Sequence, residues 1–158
     1  MATITYTVTV ATGTNQYGTG DKFYINGSVS PALNLIEGNT YIFDTSDSTV
    51  SGDLFSFSTS ANNSPSAPYT TGVTQNGTAG TSGANTTIVV ATNAPTLYYY
   101  CSNHSGMGAT AYTLAAGSIA TTANFEASFT IDEVIEDAYE RCGVQGITGY
   151  QLKAARRS

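Results

Sequence analysis

The stretch LYYYCSNHSGMGA, residues 97–109, decides how the rest of the chain is read. An aromatic run leads into Cys101, His104 and Met107, each three residues after the last, while Gly106 and Gly108 let the loop bend. The run reads as a buried strand, with Tyr98 and Tyr100 on one face and Tyr99 on the other. A strand that delivers a thiol, an imidazole and a thioether to one short loop has the outline of a copper site. His104 is the only histidine in 158 residues, and the chain holds two cysteines and two methionines.

Outward from that loop the same grammar continues. TITYTVTV (3–10) alternates with period two, as a strand with one buried face should. TGTNQYGTGD (12–21) reads as a turn, and KFYINGSVS (22–30) as a strand broken at Asn26-Gly27. In ALNLIEGNTYIFD (32–44), Leu33 and Leu35, then Tyr41 and Phe43, alternate on either side of Glu37-Gly38-Asn39, giving strand, tight turn, strand. LFSFST (54–59) is another short strand, residues 61–86 are a long loop or pair of loops, and NTTIVVA, TLYYYC and ATAYTLA complete the set. Seven or eight short strands with turns between them imply a mainly β fold, a sandwich or Greek-key barrel over residues 1–117.

Composition agrees: Thr, Ser, Gly, Asn and Tyr abound, charged residues are 10% and the net charge is −6. Up to Asn124 the only base is Lys22, set against Asp21, Glu37, Asp44, Asp47 and Asp53. That balance argues against nucleic acid as a partner, because phosphate binding needs basic patches. No basic, apolar leader opens the chain and no apolar run reaches membrane-spanning length, so neither secretion nor a membrane is expected. Without a secretory leader, the two cysteines give no reason to expect a disulfide. Asp44, Asp47 and Asp53 match no calcium-loop spacing and read as a solvated acidic turn. No nucleophile elbow accompanies His104, and no phosphate loop joins a strand to a helix, so no enzyme activity is expected.

A composition shift at 118–127 marks a linker, and beyond it the period changes. In FTIDEVIEDAYERCG (129–143), Ile131, Val134, Ile135, Ala138 and Cys142 fall on one helical face. Thr130 and Glu133 form a capping box, and Gly143 suits the C′ position. TGYQLKAARRS (148–158) opens a second helix. One amphipathic helix and the start of another cannot bury a core alone, so the stripe is expected to pack on a partner surface.

LNLIEGNTYIFD, SGDLFSF and YYYCSNHSGMG together resemble the cupredoxin pattern over roughly residues 3–115. The resemblance implies a cupredoxin-like Greek-key β-sandwich whose copper would be held by two imidazoles, a thiolate and an axial thioether. Cys101, His104 and Met107 match the ligand loop, but Asp53 stands in the slot of the first histidine. A carboxylate is a hard oxygen donor, poorly suited to Cu(I) beside a thiolate. The loop therefore reads as a degenerate copper-type loop, with no metal or other cofactor expected.

Residues 128–158 resemble the N-terminal start of head-to-tail adaptor proteins of podovirus-like tailed bacteriophages. Cupredoxin-like sequences of this kind are also similar to those carried on structural proteins of marine phages. Together these resemblances imply a virion structural protein assembled in the host cytoplasm, a neck component whose partners are portal, tail or capsid subunits. A homo-oligomeric ring is expected, with the stripe from Ile131 to Cys142 as partner-binding face. Two other readings stand beside it: a copper-binding electron-transfer protein, and a sandwich that binds carbohydrate or a host surface.

Overall fold

The computed structural model describes residues 1–61 and 67–117, all within one compact unit, Met1–Ala120. The linker expected at 118–127 and the helices expected over 128–158, with Ile131, Val134, Ile135, Ala138 and Cys142, lie outside the described residues.

The described chain is mainly β. Its ten strands are β1 (Thr3–Asn15), β2 (Gly18–Ile25), β3 (Ser28–Val29), β4 (Leu33–Ile36), β5 (Thr40–Asp44), β6 (Phe55–Ser58), β7 (Val73–Asn76), β8 (Asn85–Val89), β9 (Leu97–Cys101) and β10 (Thr110–Leu114). One 3-10 turn, Ser48–Val50, precedes β6. The strands form two mixed sheets, one in the order β3-β2-β1-β5-β8-β7 and the other β4-β10-β9-β6. Parallel pairing joins β1 to β5 and β10 to β4; the other neighbours are antiparallel.

Alternation explains which faces meet. Val8, Phe23, Ile25, Tyr41, Phe43 and Ile88 from the larger sheet join Leu33, Leu35, Phe55, Phe57, Leu97, Tyr99 and Ala111 from the smaller one in a single buried cluster. At its centre Phe43 on β5 stacks on Phe55 on β6, with ring centroids 4.6 Å apart. Phe55 also meets Phe23 at 5.0 Å, Tyr99 at 5.3 Å and Phe57 at 5.6 Å. Such contacts add about 0.5–1.5 kcal/mol each to the burial of the rings. The Phe55 carbonyl accepts from the Thr86 hydroxyl at 3.0 Å and from Gln75 Nε2 at 3.1 Å, so β7 and β8 bond directly to the edge of the smaller sheet.

Three local expectations change. The stretch at 12–21 is mostly strand: β1 and β2 pair as far as Asn15↔Gly18, leaving Gln16 and Tyr17 as the turn. Threonine hydroxyls hold this extension, Thr14 to Thr19 at 2.8 Å and Thr12 to Asp21 at 3.3 Å, contacts that apolar periodicity does not register. The long loop at 61–86 contains β7, an edge strand whose mostly exposed residues carry no alternating signal. The strands flanking Gly38 do not pair with each other. Gly38, at φ +79, turns the chain out of the smaller sheet and into the larger one. Its amide donates to the Val90 carbonyl at 2.8 Å, and the Tyr41 hydroxyl accepts from the Ile36 amide at 2.8 Å.

Phe55→Ala removes the ring that bridges the sheets and leaves a cavity, so denaturant unfolding should show a loss of about 3–5 kcal/mol. A loss below 1 kcal/mol would mean that the inter-sheet core does not centre on Phe55.

Candidate functional site

The aromatic hub positions the loop singled out by the sequence. In the β6–β9 register Phe55 lies opposite Cys101, so the strand that anchors the core sets the thiol at the end of the smaller sheet. Asp53 comes two residues before Phe55, at the end of the turn that follows Ser48–Val50, where its amide donates to the Val50 carbonyl at 2.9 Å. Asn103 ties the two segments together, its Nδ2 donating to the Gly52 carbonyl at 2.7 Å.

The far side of the loop is held by its own carbonyls. Asn15 Nδ2 donates to Gly106 O at 2.9 Å and to Gly108 O at 3.1 Å. The Met107 carbonyl accepts from the Phe23 amide and from the Ser30 hydroxyl, both at 2.9 Å. Gly106 sits at φ +73, a backbone region costly for other residues. At Gly108 the constraint is space, because a Cβ there would fall on the carbonyl oxygen of Tyr99. Lys22, the only base of the β unit, is buried, and a Cβ on Gly106 would lie 3.7 Å from its Nζ.

Asp53, Cys101 and His104 come together. Asp53 Oδ1 lies 2.6 Å from His104 Nδ1 and accepts from the Cys101 thiol at 3.2 Å; Sγ and Nδ1 are 3.7 Å apart. Asp53 and Cys101 are buried, whereas the His104 side chain is 62% exposed. With the carboxylate oxygen already accepting the thiol proton, a 2.6 Å contact requires Nδ1 to be the donor. Met107 lies in the core cluster, and its part in holding the loop is played by its carbonyl. Asp44 and Asp47 do not join Asp53: Asp44 accepts from the Ser46 amide, and Asp47 from the amide and hydroxyl of Thr49. The Thr49 hydroxyl, followed by its amide, holds the Asp47 carboxyl below the usual range. The three aspartates therefore do not share one site.

This order of contacts differs from a nucleophilic triad, in which the imidazole stands between the nucleophile and the carboxylate. Here one carboxylate oxygen receives both donors. Burial pushes the Cys101 thiol up to about 11; backbone N–H groups of Asn103 and His104 pull it down, and the Asp53 contact raises it. A thiol so held is a poor nucleophile at neutral pH. The donor set also does not fit the copper centre that the loop's outline suggests. Where such a centre needs a second imidazole, this loop offers the carboxylate of Asp53, a hard oxygen donor poorly matched to Cu(I) beside a thiolate.

Sequence reasoning found Cys101 and His104 through their spacing, and Asp53 through its place in the pattern. It missed Asn103 and Asn15, whose signal is only that Asn is common in turns. No family model and no curated protein matches this chain.

The thiol's raised pKa has a defined effect on stability. The unfolded thiol ionises near its ordinary value of about 8.5, the folded one near 11. The folded state therefore binds the proton more tightly, and stability falls as pH rises through that window. Tyr99, Tyr100 and Tyr6, each raised by burial, add to the same alkaline loss. Denaturant midpoints between pH 8 and pH 11 should fall more for the parent protein than for Cys101→Ala. Equal slopes would show that the thiol is not buried as described.

Proposed function

We propose that residues 1–117 form a cupredoxin-like Greek-key β-sandwich that serves as a docking module of a tailed-bacteriophage virion, at the head-to-tail neck. The strand order supports the fold part of this reading: β1, the first described strand, lies parallel to β5, and β10, the last described one, lies parallel to β4 in the other sheet.

The observation that carries the docking role is the outer face of the larger sheet. Register places Thr5, Ile42, Thr87 and Thr74 in one row across four strands, all uncharged. The row beside it, Thr3, Thr40 and Val89, is uncharged as well, with Val89 45% exposed. Asp44 is the one charged residue among the described positions on this face of β1, β5, β8 and β7. With Lys22 buried, the described surface of the unit carries no lysine or arginine. Such a face suits a protein neighbour, since little charge must be desolvated on contact, and it does not suit nucleic acid.

Partners are then portal, tail or capsid subunits and further copies of this chain, with Ile131, Val134, Ile135, Ala138 and Cys142 as a second contact. The mechanism is assembly, with no reaction catalysed. Among the described residues Tyr112 is the one exposed tyrosine, so no aromatic platform favours the carbohydrate reading.

Light scattering coupled to size exclusion should show the full chain forming a ring-sized oligomer or co-eluting with portal or tail subunits. The double change Thr5→Lys and Thr87→Lys flanks Ile42 with charge. It should weaken that association by about 3 kcal/mol or more, while the melting temperature stays within a few degrees. A parent protein that remains monomeric and ignores portal, tail and capsid subunits would overturn the reading.

A further inference from the structure

We propose that Asp53, Cys101 and His104 bind a redox-inert divalent cation of the zinc type, with a fourth coordination position open to solvent. This rests on the three side chains and stands apart from the docking role.

The substitution that spoils the site for copper suits zinc, whose ordinary donors are thiolate sulfur, imidazole nitrogen and carboxylate oxygen. All three are present, and their ligand atoms lie within 4.8 Å of one another. A tetrahedral zinc ion with a Zn–S bond near 2.3 Å and light-atom bonds near 2.1 Å sets sulfur about 3.6 Å from each light donor. Here Sγ stands 3.2 Å from Oδ1 and 3.7 Å from Nδ1, close to that requirement. Only the Nδ1–Oδ1 pair, at 2.6 Å, must open, by about 0.8 Å. The ring that has to move is the exposed one on the loop, while the buried carboxylate and thiol can stay in place.

A second observation points the same way. Backbone N–H groups of Asn103 and His104 are directed at Sγ, the former at 3.4 Å. A neutral thiol gains little from two such donors, but a thiolate bound to a cation is stabilised by them. The exchange balances without any redox change. The thiol proton passes to solvent as the S–metal bond forms, Nδ1 offers its lone pair with the ring proton on Nε2, and water fills the fourth position. An open depression beside His104, lined also by Asp21, Asn103, Ser105 and Met107, gives the ion and that water their access. The carboxylate of Asp21 on its rim favours a cation.

The test uses the full chain with Co(II) as the optical probe and Zn(II) as competitor. One equivalent of Co(II) should give a thiolate-to-cobalt band in the near ultraviolet and visible bands of four-coordinate intensity, both removed by Zn(II). Cys142→Ser should keep them, and Cys101→Ser should abolish the thiolate band. His104→Ala, which alters an exposed ring, should lower Zn(II) affinity by more than the roughly 100-fold that follows loss of an outer-shell partner. Near-ultraviolet circular dichroism shows whether each variant is folded. A folded parent protein without the thiolate band overturns the proposal. So does a band that survives Cys101→Ser, or, in a parallel titration with Cu(II), an intense visible Cu(II)–thiolate band that Zn(II) cannot displace.

Discussion

The contact between Phe43 and Phe55 is the one on which the remaining structure depends. It joins the two sheets at 4.6 Å, and Phe55 extends it to Phe23, Phe57 and Tyr99. A domain with so few charges and so many threonines gains little from ion pairs. Its stability has to come from apolar area removed from water, which here is gathered around a few aromatic rings. The same ring fixes β6 against β9, and with it the positions of Asp53 and Cys101. The core and the site are thus one construction.

The loop from Ser102 to Gly108 is pinned from both sides. Asn103 bonds to the turn at Gly52, while Asn15, Phe23 and Ser30 hold the carbonyls of Gly106, Met107 and Gly108. Those bonds keep the loop's shape without help from an ion. Within that frame a single residue decides the chemistry. An imidazole at position 53 would supply a second ring nitrogen, whereas Asp53 supplies a carboxylate oxygen that accepts from both the thiol and His104. The result is one carboxylate oxygen shared by a thiol and an imidazole, at the end of the smaller sheet.

What could be read from the sequence followed physical rules of short range. The alternation in Leu33 to Leu35 and Tyr41 to Phe43 matches their buried faces, and Asn26-Gly27 marked a real turn, both residues having positive φ. Three features depended on partners remote in sequence. The parallel pairing of β1 with β5, the sheet change at Gly38 and the edge strand β7 are each stabilised by neighbours that local periodicity does not see. The site divides the same way. Spacing alone united Cys101 and His104, but the sharing of one Asp53 oxygen between them depends on the turn at 50–53 and on Asn103.

The site hinges on Asp53 Oδ1, which accepts from both the Cys101 thiol and His104 Nδ1. Because His104 is the only histidine, nitrogen-15 and proton NMR of its ring in chelator-treated protein reads this arrangement directly. A proton on Nδ1 should appear at low field, slow to exchange, and should disappear in Asp53→Ala. An Nδ1 without a proton, or an Nδ1 proton unchanged by that substitution, would contradict it.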